Sequence, residues 1–458
     1  MAIVHPTQPA QLPQPEVPAV EVNSERSLKN PDEPCCKRST QWKALAMICV
    51  GVFGALSIWF SASAVLEPLT ADWDITDAQG SFLTSMVSVG FCVGCLTSVA
   101  TSLSDLVAPP KLIVVGALGA SAANVSVLLI GSFYQALILR FVVGFSLSLV
   151  YPPAVKLLST YFAAEERAMS IGIMFSAFCL GSAFPNLLKG AAAADSWRIV
   201  VAGTSATAVM GGILVILFVP VGPLPFPASG PFRLDSCWKA VRNPKVILAI
   251  VAYCGHQWEL FCVWAWAGAF MQKSWLLSST SAPLVAFVVI AMGGPGAWIG
   301  GLLGDKHGHV KVAAASLAMS GTCVAIIGLL GTTGPLFLRV AIFLIWGLTA
   351  LADSPQFSAL IIRNADQKYV GTAVTLQLLC GYLLTVVALW ILPSVAASIS
   401  WGMSFFSLAG GPAISLAALA LLSILTRRAS TEQNHTEEAE DVAPAVASEA
   451  SLAATDRV

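Results

Sequence analysis

Charge is what this sequence has least of. Lys and Arg together number 24 and Asp and Glu 25 among 458 residues, so charged side chains make up 11% of the chain, where a soluble domain carries about 25%. So few cannot furnish a water-facing surface, which excludes an ordinary soluble globular protein. A formal net charge of -1 offers no basic footprint and implies no nucleic-acid partner. There is no Gly-rich phosphate loop and no credible nucleophile and base pair, so neither an enzyme nor a cofactor is indicated. The eleven cysteines do not make a disulfide framework. Cys92, Cys95, Cys179, Cys254, Cys262, Cys323 and Cys380 fall in apolar runs, where cysteine serves as a small apolar filler. The adjacent Cys35 and Cys36 have no histidine or second cysteine pair nearby to complete a metal site.

Hydrophobic residues fill the deficit, at 56% of the chain and a mean hydropathy of +0.78. Neither end of the chain holds a long apolar run. Residues 1–42 are rich in Pro, Glu, Gln and Ser, hold no apolar segment of a cleavable signal peptide, and are expected to form a disordered cytosolic tail. Residues 427–458 are acidic and rich in Ala, Ser and Thr, and are expected to be a second disordered tail. Its Asn434–Thr436 "NHT" matches a glycosylation acceptor that a cytosolic tail would not present.

Between the tails, apolar runs of about 20 residues, enough to cross roughly 30 Å of hydrocarbon as helix, recur twelve times. They lie near 44–66, 81–104, 111–131, 134–158, 167–189, 197–219, 246–271, 282–303, 310–331, 335–357, 369–392 and 403–426. Lys and Arg cluster in the tails and alternate loops. Lys37, Arg38, Lys43, Lys111, Arg167, Lys239, Lys306, Lys311, Arg363 and Arg427 fall on one side, against Lys189, Arg198 and Lys273 on the other. Because basic loops stay in the cytosol, both termini are expected there. The break at 220–245, rich in Pro and Gly, reads as a cytosolic linker between six spans (43–219) and six more (246–426). Polar residues match across it at a nearly constant offset. Asp105 and Asp305 are each followed six positions later by Lys111 and Lys311, Arg140 matches Arg339, Gly144 matches Gly347, and Pro152 matches Pro355. A duplicated six-helix unit accounts for the series. The expected fold is an all-α membrane protein of twelve transmembrane helices in two pseudo-symmetric halves.

In residues 43–427 the chain resembles the major facilitator superfamily. "GLLGDKHGHVK", Gly301 to Lys311, is similar to that family's loop between the second and third helix of each half. The first half retains Asp105 and Lys111 in "TSLSDLVAPPK" but has Thr101 and Ala108 in place of the glycines. The resemblance implies a latch. Asp105 would meet the start of helix 11 and Asp305 that of helix 5, where the helix dipole favours a carboxylate, while Gly301 and Gly308 allow close approach and Lys311 completes the motif. "RFVVG" at Arg140–Gly144 resembles the arginine motif of proton-coupled members. "GIMFSAFCLGSAFP" matches the antiporter pattern only in part. "HQWEL" is loosely similar to members near nitrate and cyanate permeases, but spans 81–104 and 282–303 lack the arginines that nitrate porters use.

The stretch "GHQWELFCVWAW", Gly255–Trp266, places His256 and Glu259 roughly 15 to 20 Å along the seventh helix, in mid-membrane. His256, Glu259, Val263 and Trp266 share one arc. A charge at that depth faces a cavity or a partner. The resemblance implies that helices 1, 4, 7 and 10 line a central cavity, and the other deep charges, Arg140 and Arg339, stand on helices 4 and 10. The expected site is therefore one chamber. In it Arg140 or Arg339 is the counter-ion of a small anion, Glu259 carries the proton, His256 shares it, and Trp59 and Trp266 form apolar walls. Asp353, beside the helix-breaking Pro355, is expected at the inner gate near the cytoplasmic end of helix 10. The expected function is proton-coupled secondary transport of a small organic or inorganic anion by a monomer, in the plasma membrane rather than an organelle. Two alternatives stay open: an export antiporter for an amphipathic metabolite or drug, and a sensor built on the transporter fold.

Overall fold

In hydrocarbon every backbone amide must find its partner inside the chain, and a helix achieves this within one segment. A computed structural model describes residues 37–191, 197–224, 239, 242–331, 333–366, 369–428 and 431, with side chains at all of them except 104, 105, 164, 165 and 168. Among these residues twelve helices are long and apolar enough to span a membrane. They are α1 (Arg38–Leu56), α2 (Asp77–Ala100), α3 (Pro109–Leu129), α4 (Phe133–Leu158), α5 (Met169–Ala191), α6 (Trp197–Phe218), α7 (Pro244–Trp275), α8 (Ser281–His307), α9 (His309–Leu330), α10 (Leu336–Asn364), α11 (Val370–Ser398) and α12 (Trp401–Arg428). No β-strand occurs among the described residues. Both expected tails, but for Lys37–Trp42, Arg427, Arg428 and Thr431, and most of the expected linker lie outside them.

Each half packs its six helices by the same scheme. In the first, α1 lies against α5 and α6, α2 against α4, and α3 against α4 and α6; in the second, α8 and α9 lie against α10, and α7 against α11. The halves meet along two seams, α2 on α11 and α5 on α8. At the side away from both termini, Lys273 at the end of α7 pairs with Asp77 at the start of α2 and lies over the Trp401 ring, closing one seam with charge. The turn from α8 to α9 is made by Gly308 at φ +93°, a left-handed conformation that suits the glycine expected there.

Glycine sets the closest helix contacts, and sets them twice. A Cβ on Gly144 of α4 would lie 2.0 Å from the Val87 carbonyl of α2, and one on Gly90 would lie 2.1 Å from the Phe141 carbonyl. The second half repeats the device, with Gly347 of α10 at 2.0 Å from the Val289 carbonyl and Gly296 of α8 at 1.9 Å from that of Leu348. Small residues let membrane helices approach backbone to backbone, where dispersion replaces the hydrophobic effect that lipid cannot supply.

Three spans are broken over three residues or more. The sequence reading drew 44–66, 134–158 and 335–357 as single spans, with proline allowing the last two to bend; α4 is interrupted between Leu147 and Tyr151 and α10 between Ala350 and Ser354. Pro152, Pro153 and Pro355 supply the cause, because proline has no N–H for the preceding turn. The first span stops at Leu56 and resumes as Ser61–Ala64 and Leu66–Trp73. No proline stands at this break. The carbonyls it frees are taken by Arg140 of α4: Nη1 and Nη2 each lie 3.3 Å from the Ile58 oxygen, and Nη2 lies 2.6 Å from that of Trp59. Arg140 Nε donates to the Leu83 carbonyl of α2 at 3.0 Å, and Nη1 to Ser61 Oγ and to Asn124 Oδ1 of α3. Asn124 Nδ2 donates in turn to Val201 and Ser205 of α6. One guanidinium thus fastens α1 through α4, and its neighbour Asn124 adds α6.

Two outcomes follow for stability. Gly144→Val should destabilise the folded state by about 1–3 kcal/mol through overpacking, read as a lower melting temperature in detergent, while Gly301→Ala, with nothing within 4 Å of its Cβ position, should leave it unchanged. Arg140→Met should cost at least about 3 kcal/mol, since several buried acceptors lose their donor at once. Arg140→Lys should recover only part, because an ammonium cannot span five acceptors.

Candidate functional site

The buried ionisable groups of the second half gather on α7 and on the break in α10. The side chains at positions 256 and 259 lie one turn apart and are both enclosed, His256 and Glu259 each 1% exposed. The imidazole uses both nitrogens: Nδ1 lies 3.0 Å from Asp353 Oδ1, and Nε2 lies 3.0 Å from Ser354 Oγ. Asp353 and Ser354 are the residues at which α10 resumes after its break. The rings of Tyr253 and Phe357 flank the imidazole and keep the pair dry. His256 therefore ties an unbroken helix to a broken one.

Glu259 faces the interior of its own half. Its Oε1 accepts from Trp346 Nε1 of α10 at 2.8 Å and its Oε2 from Ser320 Oγ of α9 at 3.0 Å. A carboxylate in hydrocarbon needs such donors, and both here are neutral. Below it, toward the terminal side, Gln356 joins three helices by donating to the Gly300 carbonyl of α8 and meeting His309 Nδ1 of α9, each at 2.7 Å.

The single chamber expected from the sequence is not formed. Among the described residues no ion pair joins Glu259 to Arg140 or Arg339. Arg140 spends its donors on neutral acceptors within the first half. Arg339 stands about 10 Å farther along α10 than Trp346, donating to the Gly331 carbonyl at 3.1 Å with its guanidinium over the Trp275 ring. The reason is local: each charge found polar partners on its own nearest helices, and nothing required it to reach the seam. Asp353 also departs from expectation. It is wholly buried beside His256 rather than at the helix end, because α10 runs on to Asn364 and leaves the break deep in the span.

The remaining expected residues are scattered. Trp59 is buried in a ring cluster at the seam, within 5.1 Å of Phe91 of α2, 5.9 Å of Phe261 of α7 and 5.6 Å of Tyr382 of α11. Trp266 packs on Trp401 of α12 and, with Ser63, Ser81 and Leu389, lines a narrow crevice between the halves nearer the side away from the termini. Asp305 and Lys311 are exposed at the α8–α9 turn, Gly301 and Gly308 have open space at their Cβ positions, and Pro355 opens the second part of α10. The side chain of Asp105 lies outside the described residues. Sequence reasoning missed Trp346, Ser320 and Ser354 as partners, and Phe91, Phe261 and Tyr382 as the rings meeting Trp59. A Ser after Asp353, at the break itself, was the one available signal. No cluster of metal-ligating side chains occurs among the described residues.

Comparison with known proteins places this geometry. Residues 47–388 match the sequence profile of the Major Facilitator Superfamily. A gallate transporter of Pseudomonas putida is 26% identical over 157 residues, which are 34% of this chain and 33% of that protein, so the chain matches about a third of this relative's length. Two solved structures of a bacterial homolog to the human lysosomal transporter Spinster are similar at 15% identity. The inward-facing, unoccupied form gives a TM-score of 0.64 over 85% of this chain and 96% of its own, and the inward-facing, occupied form 0.65 over 86% and 98%. At that identity the likeness is one of fold. With a profile match over most of the chain and twelve spans in two six-helix halves, this integral multi-pass membrane protein belongs to the Major Facilitator Superfamily and is a secondary transporter of a small solute rather than an enzyme.

Proposed function

We propose that the chain moves a small organic anion by alternating access, coupled to protons, and that the coupling group is the His256–Asp353 pair with Glu259 one turn away. The observation that carries this reading is the 3.0 Å contact between His256 and Asp353, both buried, at the break of α10. Ionisable groups at such depth are expensive to keep, and in membrane proteins they mark proton and substrate paths. The pair has a plain mechanical use. Ionised, it ties the start of Ser354–Asn364 to α7; with a proton on Asp353 the attraction is lost and the broken span is freer to swing. Glu259 can hold a second proton while Trp346 and Ser320 keep donating to it.

The likeness to a gallate transporter favours an organic anion over an inorganic one, since gallate is a carboxylate. Arg140 keeps a positive charge in the first half with no carboxylate paired to it among the described residues, which favours an anion nearby. Arg339 has the weaker claim, because its charge lies at the far end of α10 against Trp275. The basic residues of alternate loops support both termini in the cytosol and the plasma membrane as the setting, with Asp305 and its first-half counterpart Asp105 as latches on that side. The reading takes the carrier as a monomer.

In proteoliposomes with an imposed pH gradient, Asp353→Asn and Glu259→Gln should each lower gradient-driven uptake at least about tenfold while substrate exchange at equal pH persists. Wild-type gradient-driven uptake in both variants would defeat the coupling role. Accumulation only when the gradient is reversed would indicate an exporter, and binding without flux a sensor.

A further inference from the structure

The seam between the halves is plugged in mid-membrane by aromatic rings contributed from both sides. Trp59 and Phe91 belong to the first half, Phe261 and Tyr382 to the second, and all four are buried. Besides the contacts of Trp59, Phe91 meets Tyr382 at 5.1 Å and Phe261 meets Tyr382 at 5.4 Å, with the Phe261 and Tyr382 planes 89° apart. On the adjoining turns Phe60 lies 5.7 Å from Trp264, again across the seam. No covalent link or ion pair joins these groups. They are held by ring contact alone, and alternating access must separate them in every cycle.

Three properties of this plug select an occupant. When the halves part, each ring loses its neighbour, and a flat molecule with two π faces restores contact to both sides at once, each aromatic pair contributing about 0.5–1.5 kcal/mol beyond burial. The indole Nε1 atoms of Trp59 and Trp264 are buried and have no acceptor; an unsatisfied buried donor is costly, so acceptor oxygens on the occupant are favoured. Behind the plug, Arg140 grips the Trp59 carbonyl itself at 2.6 Å, bringing a positive charge without a paired carboxylate to within one peptide unit of the ring cluster. A low-dielectric surround carries that charge's influence across such a distance.

We infer that this seam is the substrate site and that it takes a planar aromatic acid, its ring between Trp59 and Phe91 on one side and Phe261 and Tyr382 on the other. The carboxylate oxygens accept from the free indole N–H groups, and Arg140 acts from behind as a positioning residue that holds the break bearing Trp59. This rests on the reading of the chain as an organic-anion transporter and narrows it to one class of substrate.

The test compares benzoate with cyclohexanecarboxylate, which has the same charge and a similar size but no planar ring, by calorimetry on the full chain in lipid nanodiscs. Benzoate should bind about fivefold or more tightly than cyclohexanecarboxylate. Trp59→Phe, which keeps a ring and removes the N–H, should weaken both about tenfold and preserve their ratio. Tyr382→Leu and Phe91→Leu should bring the ratio toward one; two variants are used so that a folding defect in either, seen as loss of monodispersity, leaves the other to decide. Equal affinities in the unaltered chain, no benzoate binding, or an unchanged ratio in a monodisperse leucine variant would overturn the inference. Proton-driven uptake of an aliphatic carboxylate that depends on Asp353, without any preference for benzoate, would remove the aromatic assignment and leave the proposed function standing.

Discussion

A helix that breaks inside a membrane exposes carbonyl oxygens with no water to receive, and the whole arrangement of this protein follows from how those breaks are served. At the first break the donor is a guanidinium brought from α4, which takes two successive carbonyls and reaches two neighbouring helices besides, α2 and α3. At the break in α10 an imidazole–carboxylate contact and a hydroxyl stand instead, with His256 between Asp353 and Ser354. The first solution is permanent, because arginine keeps its proton. The second joins an imidazole to a carboxylate, side chains of the kind that can exchange protons. The two breaks fall in spans that do not correspond in the duplication, the first and the tenth, and they are served by different chemistry.

The two halves differ in what they bury. The ionisable side chains His256, Glu259 and Asp353 gather in the second half, on α7 and at the break of α10. The first half offers the Arg140 guanidinium, neutral acceptors and aromatic surface. Rings from both halves meet at the seam, and α7 carries His256 and Glu259 on one stretch and Phe261 a half-turn later.

Much of this architecture is legible in the sequence, for reasons that differ by residue. The twelve spans follow from scarcity of charge, and the duplication from matched polar residues such as Arg140 and Arg339. Gly308 was recognisable as part of the stretch from Gly301 to Lys311, although it serves a positive-φ turn with open space at its Cβ position and not the close approach expected of it. His256 and Glu259 stood out as ionisable groups in an apolar run, and both are buried as their depth demanded. Their partners were hidden, because helical periodicity gives the arc a residue occupies but not the helix that fills it. Asp353 was misplaced because Pro355 was read as lying near the end of a span, although a proline in the first turn after a break can equally begin the next segment. Phe91, Phe261 and Tyr382 gave no signal at all, since a ring facing the seam and a ring facing lipid look alike in a hydrophobic run.

The reciprocal glycine contacts carry a mechanical consequence. Because α2 and α4 touch backbone to backbone at Gly90 and Gly144, and α8 and α10 do so at Gly296 and Gly347, neither pair has side-chain cushioning through which to shear. Since α2 also borders α11 and α8 borders α5, each of these closely held pairs carries its contact on to the opposite half.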